Sequence, residues 1–321
     1  MATPLRVSYP PFVRRPETVT FLHFNILLAL LPALGFGYTV YGLDALRVAA
    51  LSMGSAVLFE AGIRRLFGRQ ESGHDLSALV NGLLLAFLLP AGAPAWLVLM
   101  GSFIMILVGK QIFGGLGFHP LNPALIGWAV LRLSWPDYLD YNLMLIHFEP
   151  GFSLQDPLVL HKLGGTASVA AFSLHDLFLG KQAGGVGSSS VVWLLMGGGY
   201  LLVRRVISWR IPFSFLTGLF VCAALFHAMS PEKFASPIFQ LLAGSGCFAA
   251  FFLATDFSSS PNAPKGRLLF GFLGGMMTMV FRAWSVYPDG TVFALLILSL
   301  FTPFFDRLRS HVRYLRKVTL L

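Results

Sequence analysis

The chain has 321 residues, of which 56% are hydrophobic and only 12% charged, with a mean hydropathy of +0.73. A water-soluble domain carries roughly twice that charged fraction, so the composition excludes an ordinary soluble globule and leaves apolar surface that must face lipid. The formal net charge of +9 does not argue for nucleic acid, because the basic residues sit at the ends of apolar runs, as membrane topology requires, and not on a folded basic patch.

Residues 1–21 hold Pro4, Pro10, Pro11 and Pro16 with Arg6, Arg14 and Arg15. The apolar run that follows is too long for a signal peptide and lacks a small-residue cleavage site, so it reads as a first span. Runs of helical length then fall near 22–40, 44–63, 76–90, 95–113, 122–134, 190–208, 211–229, 237–255, 266–285 and 290–306. A crossing needs about 20 residues, and most runs fit. The third and fifth are short and border Gly, Pro or Asn clusters, which predicts broken helices. The expected fold class is an all-α integral membrane protein with about ten transmembrane helices.

Orientation follows from Lys and Arg. With a cytoplasmic N-terminus, alternate loops gather all but six of the 23 basic residues, the exceptions being Arg47, Arg132, Lys162, Lys181, Lys233 and Arg282. Ten crossings then put both termini in the cytoplasm and the long loop at 136–187 on the outer side. A loop of that length usually has a task, and Val169 to Leu179 within it reads as a short helix lying on the membrane.

The segments on either side of this loop look related. Each has a long apolar run ending in a polar break, Leu83 to Pro90 and Phe248 to Asp256, and then an Asn/Pro break near glycines, Asn122-Pro123 and Asn262 to Pro264. Five spans per half makes the halves inverted, and inverted repeats with interrupted helices place a site between them. The organisation expected is 1–135 as a first five-helix half with a cytoplasmic N-terminus, 136–187 as the outer loop, and 188–321 as a second five-helix half with a basic cytoplasmic tail.

Cys222 and Cys247 lie inside apolar runs without a C-x-x-C, so neither a disulfide framework nor a protein-supplied iron–sulfur site is expected. There is no catalytic triad, P-loop or metal pattern. The eight histidines are scattered, and the two in or beside spans, His23 and His227, are far apart, which does not suit a haem. No catalytic residue and no metal are expected.

Three stretches go beyond generic membrane chemistry: VGKQIFGGLGFHPLNPA from Val108 to Ala124; FLATD from Phe252 to Asp256 with PKGR from Pro264 to Arg267; and YPDG from Tyr287 to Gly290 running into TPFFDR from Thr302 to Arg307. Together with VISWRIP (Val206 to Pro212) and DLFLG (Asp176 to Gly180), in this order along almost the whole chain, they resemble the NqrB/RnfD family. The first span begins near residue 21, without the N-terminal extension of NqrB, which favours the RnfD branch, the D subunits of the Rnf electron-transport complex. The resemblance implies a role in an assembly that moves electrons between ferredoxin and NAD while transporting Na⁺ or H⁺ across the bacterial inner membrane. It also implies FMN joined through its phosphate to a threonine on the outer side and, in some members, a riboflavin or other noncovalent flavin within the membrane part. The implied partners are other Rnf subunits carrying flavin and iron–sulfur clusters, in the membrane and peripheral to it.

The attachment motif of the family, S-G-A-T followed by Pro-Leu, meets Leu163-Gly164-Gly165-Thr166-Ala167-Ser168 here. The glycine and the threonine match; the serine and the following proline do not. Thr166 is thus the candidate for covalent FMN, or else an ordinary loop threonine in a glycine turn. Lys110 and Gln111 are either a snorkelling anchor with an interfacial amide or a cationic partner for a flavin. Asn122 is a helix cap before Pro123, a contact for a flavin ring edge, or both. Asp256, Asn262, Lys265 and Arg267 form an interfacial charge cluster or, with Ser258 and Ser259, a flavin pocket. Glu60 and Asn81 join an ion or flavin path if they lie deep. Arg282 either snorkels outward or pairs with Asp289 or a flavin phosphate. The rival readings are an inverted-repeat channel or transporter without flavin, and an NqrB-like subunit of a Na⁺-pumping quinone reductase.

Overall fold

The computed structural model describes residues 18–68, 75–144, 155–170 and 172–308. The arginines before residue 18, Arg69, the tail from Arg309, and the parts of the long loop at 145–154 and 171 lie outside the described residues. The described residues are helical throughout, with no strand.

The ten apolar runs all fall on helices, but several are broken. The first two runs are α1 (Val19–Tyr41) and α2 (Leu43–Leu66). Then come α3 (Ser77–Leu88), α4 (Ala95–Ile106), which continues as a π-helical turn over Leu107–Gln111, and α5 (Pro123–Ser134). The long loop at 136–187 holds α6 (Tyr141–Met144), α7 (Pro157–Ser168) and α8 (Leu174–Leu179). The second half has α9 (Val191–Val203) and α10 (Arg210–Met229). Its eighth run is split into α11 (Pro237–Leu242), the single turn α12 (Gly246–Phe248) and a π-helical turn over Ala249–Leu253. Last come α13 (Pro264–Trp284), α14 (Thr291–Ser299) and α15 (Thr302–Asp306). Three helices, α1, α2 and α10, are long and apolar enough to cross a bilayer by themselves. α13 is as long but less apolar, and the shortness of α3, α5, α11 and α12 follows from breaks at Gly, Pro and Asn clusters.

Two parallel helix pairs organise the halves. In the first, α2 and α4 run side by side: Ser52 meets Ser102, with hydroxyls 3.4 Å apart, and Phe59 meets Phe103, with ring centroids 5.4 Å apart. In the second, α10 and α13 approach backbone to backbone. A Cβ on Gly271 would come within 2.6 Å of the Ile211 carbonyl oxygen, and one on Gly275 within 2.0 Å of that of Phe215. Small residues that admit this approach replace the hydrophobic drive that lipid cannot supply between helices. The halves meet where α1 packs on α9 at Gly197, opposite the Ala29 carbonyl.

The long loop departs from the expectation in two ways. The short helix begins at Leu174, capped by Ser173, because Val169 and Ala170 close turns on the end of α7 instead. Residues 182–190 are buried within the protein. There Gly185 and Gly187 press on Phe87, and the Val186 N–H donates to the Leu89 carbonyl at 3.0 Å. Irregular backbone at such depth is tolerated when protein, not lipid, surrounds it.

Candidate functional site

Polar side chains gather where helices break. At one end, the π turn after α4 turns Lys110 inward, fully buried. Its ammonium donates to both Glu60 carboxylate oxygens, at 2.7 and 2.8 Å, and to the Ser77 hydroxyl at the start of α3. Glu60 also receives Arg64 and, at 3.3 Å, the Gln111 amide; Arg64 reaches Asp75 at 3.3 Å. The snorkelling reading of Lys110 and Gln111 is corrected: neither reaches water, because Glu60, 5% exposed, supplies the charge that a buried ammonium requires.

At the junction of the halves, Asn122 caps α5 through Oδ1, which accepts the Ala124 N–H at 3.0 Å, while its amide donates across to the Leu253 carbonyl at 3.2 Å. The capping expectation therefore holds, and the same side chain ties the π turn of the second half to the Asn/Pro break of the first. Asp256 accepts the Ser259 N–H and hydroxyl, at 3.0 and 2.8 Å, and lies 3.5 Å from His119 Nε2. That nitrogen is buried without a hydrogen bond. Between these groups, His23, Asn81 and Thr255 line a cavity of about 30 Å³, enough for one water or a bare cation. The Ser258 hydroxyl donates to the His119 carbonyl at 2.8 Å, a third link between the halves.

The remaining predicted residues do not converge on one point. Asn262 and Arg267 line a separate pocket with Arg205 and Ser208, whereas Lys265 is exposed at the start of α13 and lines no described cavity.

At the far end of α10 and α13, α11 stops at Leu242. Gly244, with φ 71°, turns the chain before α12. The break frees carbonyls, and Arg282 takes them: it donates to the Gln240 and Ala243 carbonyls at 2.6 and 3.0 Å and pairs with Asp289 at 3.3 Å. Of the readings open for Arg282, pairing with Asp289 is the one observed. Asp289 in turn accepts the Ser245 and Thr291 hydroxyls.

Beside Arg282 lies a cavity of about 210 Å³, lined by His161, Lys162, Gly165, Lys233 and Gln240 among others. Gly165, with φ 67°, kinks α7 here. The next residue, Thr166, is half-buried and donates its hydroxyl to the Pro231 carbonyl at 3.0 Å. His161 Nε2 accepts the Ala235 N–H at 2.9 Å, which puts the ring proton on Nδ1. Burial, then the Arg282 and Lys162 charges, hold His161 below the usual histidine range. Burial also lowers Lys162, whose ammonium donates to the Arg282, Ser285 and Tyr287 carbonyls. Lys233 is exposed. Sequence reading passed over Lys162 and Lys233 because the basic residues were sorted only by topology, and over His161 because it is one of several scattered histidines. It passed over His119 because an isolated histidine carries no spacing signal.

Lipid-compatible helices, buried ion pairs at helix breaks and polar links across two halves define a multi-pass helical membrane protein. The model of the NQR2, RnfD, RnfE family matches residues 6–314, and the chain belongs to that family. It is 37% identical over 305 residues to the D subunit of the Na⁺-translocating ferredoxin:NAD⁺ oxidoreductase complex of Acetobacterium woodii, covering 94% of this chain and 93% of that one. It is 31% identical to the proton-translocating counterpart from Clostridium ljungdahlii, covering 96% and 95%. It is 32% identical to the D subunit of the ion-translocating oxidoreductase complex of Cronobacter sakazakii, covering 94% and 96%.

Proposed function

We propose that the chain is the D subunit of an Rnf-type ion-translocating ferredoxin:NAD⁺ oxidoreductase, assembled with other Rnf subunits in the bacterial inner membrane. Full-length similarity to subunits of that name supports this reading. The ten helical runs then cross the membrane as two inverted halves with both termini cytoplasmic. The two parallel pairs support the inversion, because each brings its second helix to a buried cation, Lys110 or Arg282, at the pair's C-terminal end.

Thr166 carries FMN as a phosphoester in this proposal. The observation that supports it is the basic cavity beside Gly165. The donor set fits a phosphodiester: the exposed Lys233 ammonium and His161 Nδ1–H are available to it, and Lys162 and Arg282 add positive field. FMN supplies the exchange of one or two electrons, and the protein holds and orients it. The 30 Å³ junction does not fit a second, noncovalent flavin as it stands and suits an ion path better.

The test is in-gel fluorescence of the denatured chain, expressed in a host with a flavin transferase. A fluorescent wild-type band and a dark Thr166→Ala band are expected. A colourless wild-type band would overturn the covalent assignment, and no extractable flavin at all would favour a flavin-free transporter.

A further inference from the structure

The pocket lined by Asn262 and Arg267 shares Thr255 with the junction cavity but holds none of its titratable groups. It lies at the N-terminal end of α10 and α13, about 30 Å along these helices from the Thr166 end. Its volume is about 290 Å³, and Arg205, Ser208, Thr255, Ser260, Asn262 and Arg267 supply its polar lining. No carboxylate lines it. Asp306 is engaged by the Asn262 and Ala263 N–H groups at 2.7 and 3.0 Å, and Asp256 by Ser259. Arg267 is steadied by its Nε, which donates to the Pro261 carbonyl at 2.9 Å. Two guanidinium groups with hydroxyl and amide neighbours form a donor set shaped for a tetrahedral oxyanion.

The backbone gives an independent reason. Arg205 has φ 56° and closes α9: its N–H donates to the Leu202 carbonyl, and the Val206 N–H donates to that of Leu201 at 2.9 Å. That helix-ending position favours glycine, and an L side chain there is strained. Arginine at a site made for glycine points to a demand on its side chain. The positive-inside rule does not create that demand, because Arg204 and Arg210 already mark the segment.

We propose that this pocket is a phosphate-binding site, with Arg205 and Arg267 as the two forks. The phosphate comes either from a soluble ester or from a phospholipid headgroup. The site stands independently of the flavin at Thr166.

The experiment follows the thermal midpoint of the full chain in phosphatidylcholine nanodiscs, titrated with inorganic phosphate against chloride at constant ionic strength, and in nanodiscs of increasing phosphatidylglycerol content. A saturable rise is expected in one arm. A rise with inorganic phosphate assigns a soluble ester, and a rise with phosphatidylglycerol alone assigns a headgroup. Arg205→Gly relieves the backbone and keeps the ligand-free midpoint at or above wild type, yet weakens the apparent affinity by about tenfold or more. Arg267→Gln does the same to affinity. No saturable rise in either arm, or variants that respond like wild type, would overturn the proposal.

Discussion

Lys110 and Arg282 each end the second helix of a parallel pair, and each is withdrawn from water. Their surroundings differ in kind. Lys110 faces a carboxylate, with both oxygens of Glu60 on its ammonium. Arg282 faces mainly backbone, with two carbonyls released by the break between α11 and α12, and shares Asp289 with Ser245 and Thr291. The compact ammonium places its charge on one carboxylate, whereas the planar guanidinium spreads its donors over two carbonyls and a carboxylate. The first end is therefore held chiefly by charge and the second by hydrogen-bond geometry. The helix pairs show the same division. Serine hydroxyls lie between α2 and α4, while bare glycine backbone forms the contact of α10 with α13.

If charge rules the first end, Lys110→Met should have the largest effect on stability. It removes one of the two cations on Glu60 and leaves the carboxylate to Arg64 and the Gln111 amide, at a cost approaching that of a broken buried ion pair, about 3–5 kcal/mol. Lower yield and a lower thermal midpoint in detergent are expected, and adding Glu60→Gln should restore much of the loss. If Lys110→Met behaves like wild type, Arg64 alone meets the charge of Glu60 and the contrast fails.

Arg282→Lys tests the other end. Charge is kept but the fork is lost, so the Gln240 and Ala243 carbonyls, now held by two separate nitrogens, have to share one ammonium with Asp289. A cost of about 1.5–3 kcal/mol is expected from hydrogen bonds to a charged group. The thermal midpoint reads stability, and in-gel flavin fluorescence shows whether the neighbouring Thr166 cavity keeps its shape. An unchanged midpoint would mean that charge alone suffices there too.

These differences were unevenly legible in the sequence. The ten runs, their breaks and the Asn122 cap are local patterns, and each falls where hydrophobic length and Asn-Pro chemistry put it. Arg282 and Asp289, seven residues apart, could be paired on paper. Glu60 and Lys110 are fifty apart, and nothing in either run announces that α2 and α4 are parallel neighbours. The π turns were also hidden: one added residue per turn leaves no compositional mark, yet it decides that Lys110 faces inward. Arg205 read as one more topology charge until its backbone angle set it apart.

The smallest expected effect concerns the seam between the two ends. Asn122 does two things with one side chain: Oδ1 caps α5, and Nδ2 holds the Leu253 carbonyl across the junction. Asn122→Ser keeps a good capping oxygen but cannot reach as a second donor, leaving a buried carbonyl unpaired. The loss should be about 1 kcal/mol, the lower end for a buried acceptor left unpaired, seen as a shift of a few degrees. Hydrogen exchange should show its consequence locally, with faster exchange at Leu253 and Ala254 and little change at Lys110 or Arg282. That pattern would mean that the two ends are separately anchored and that the junction is the softer element between them. Faster exchange spreading to both ends would instead mean that charge at one end and geometry at the other are coupled through Asn122, and the division between them would have to be redrawn.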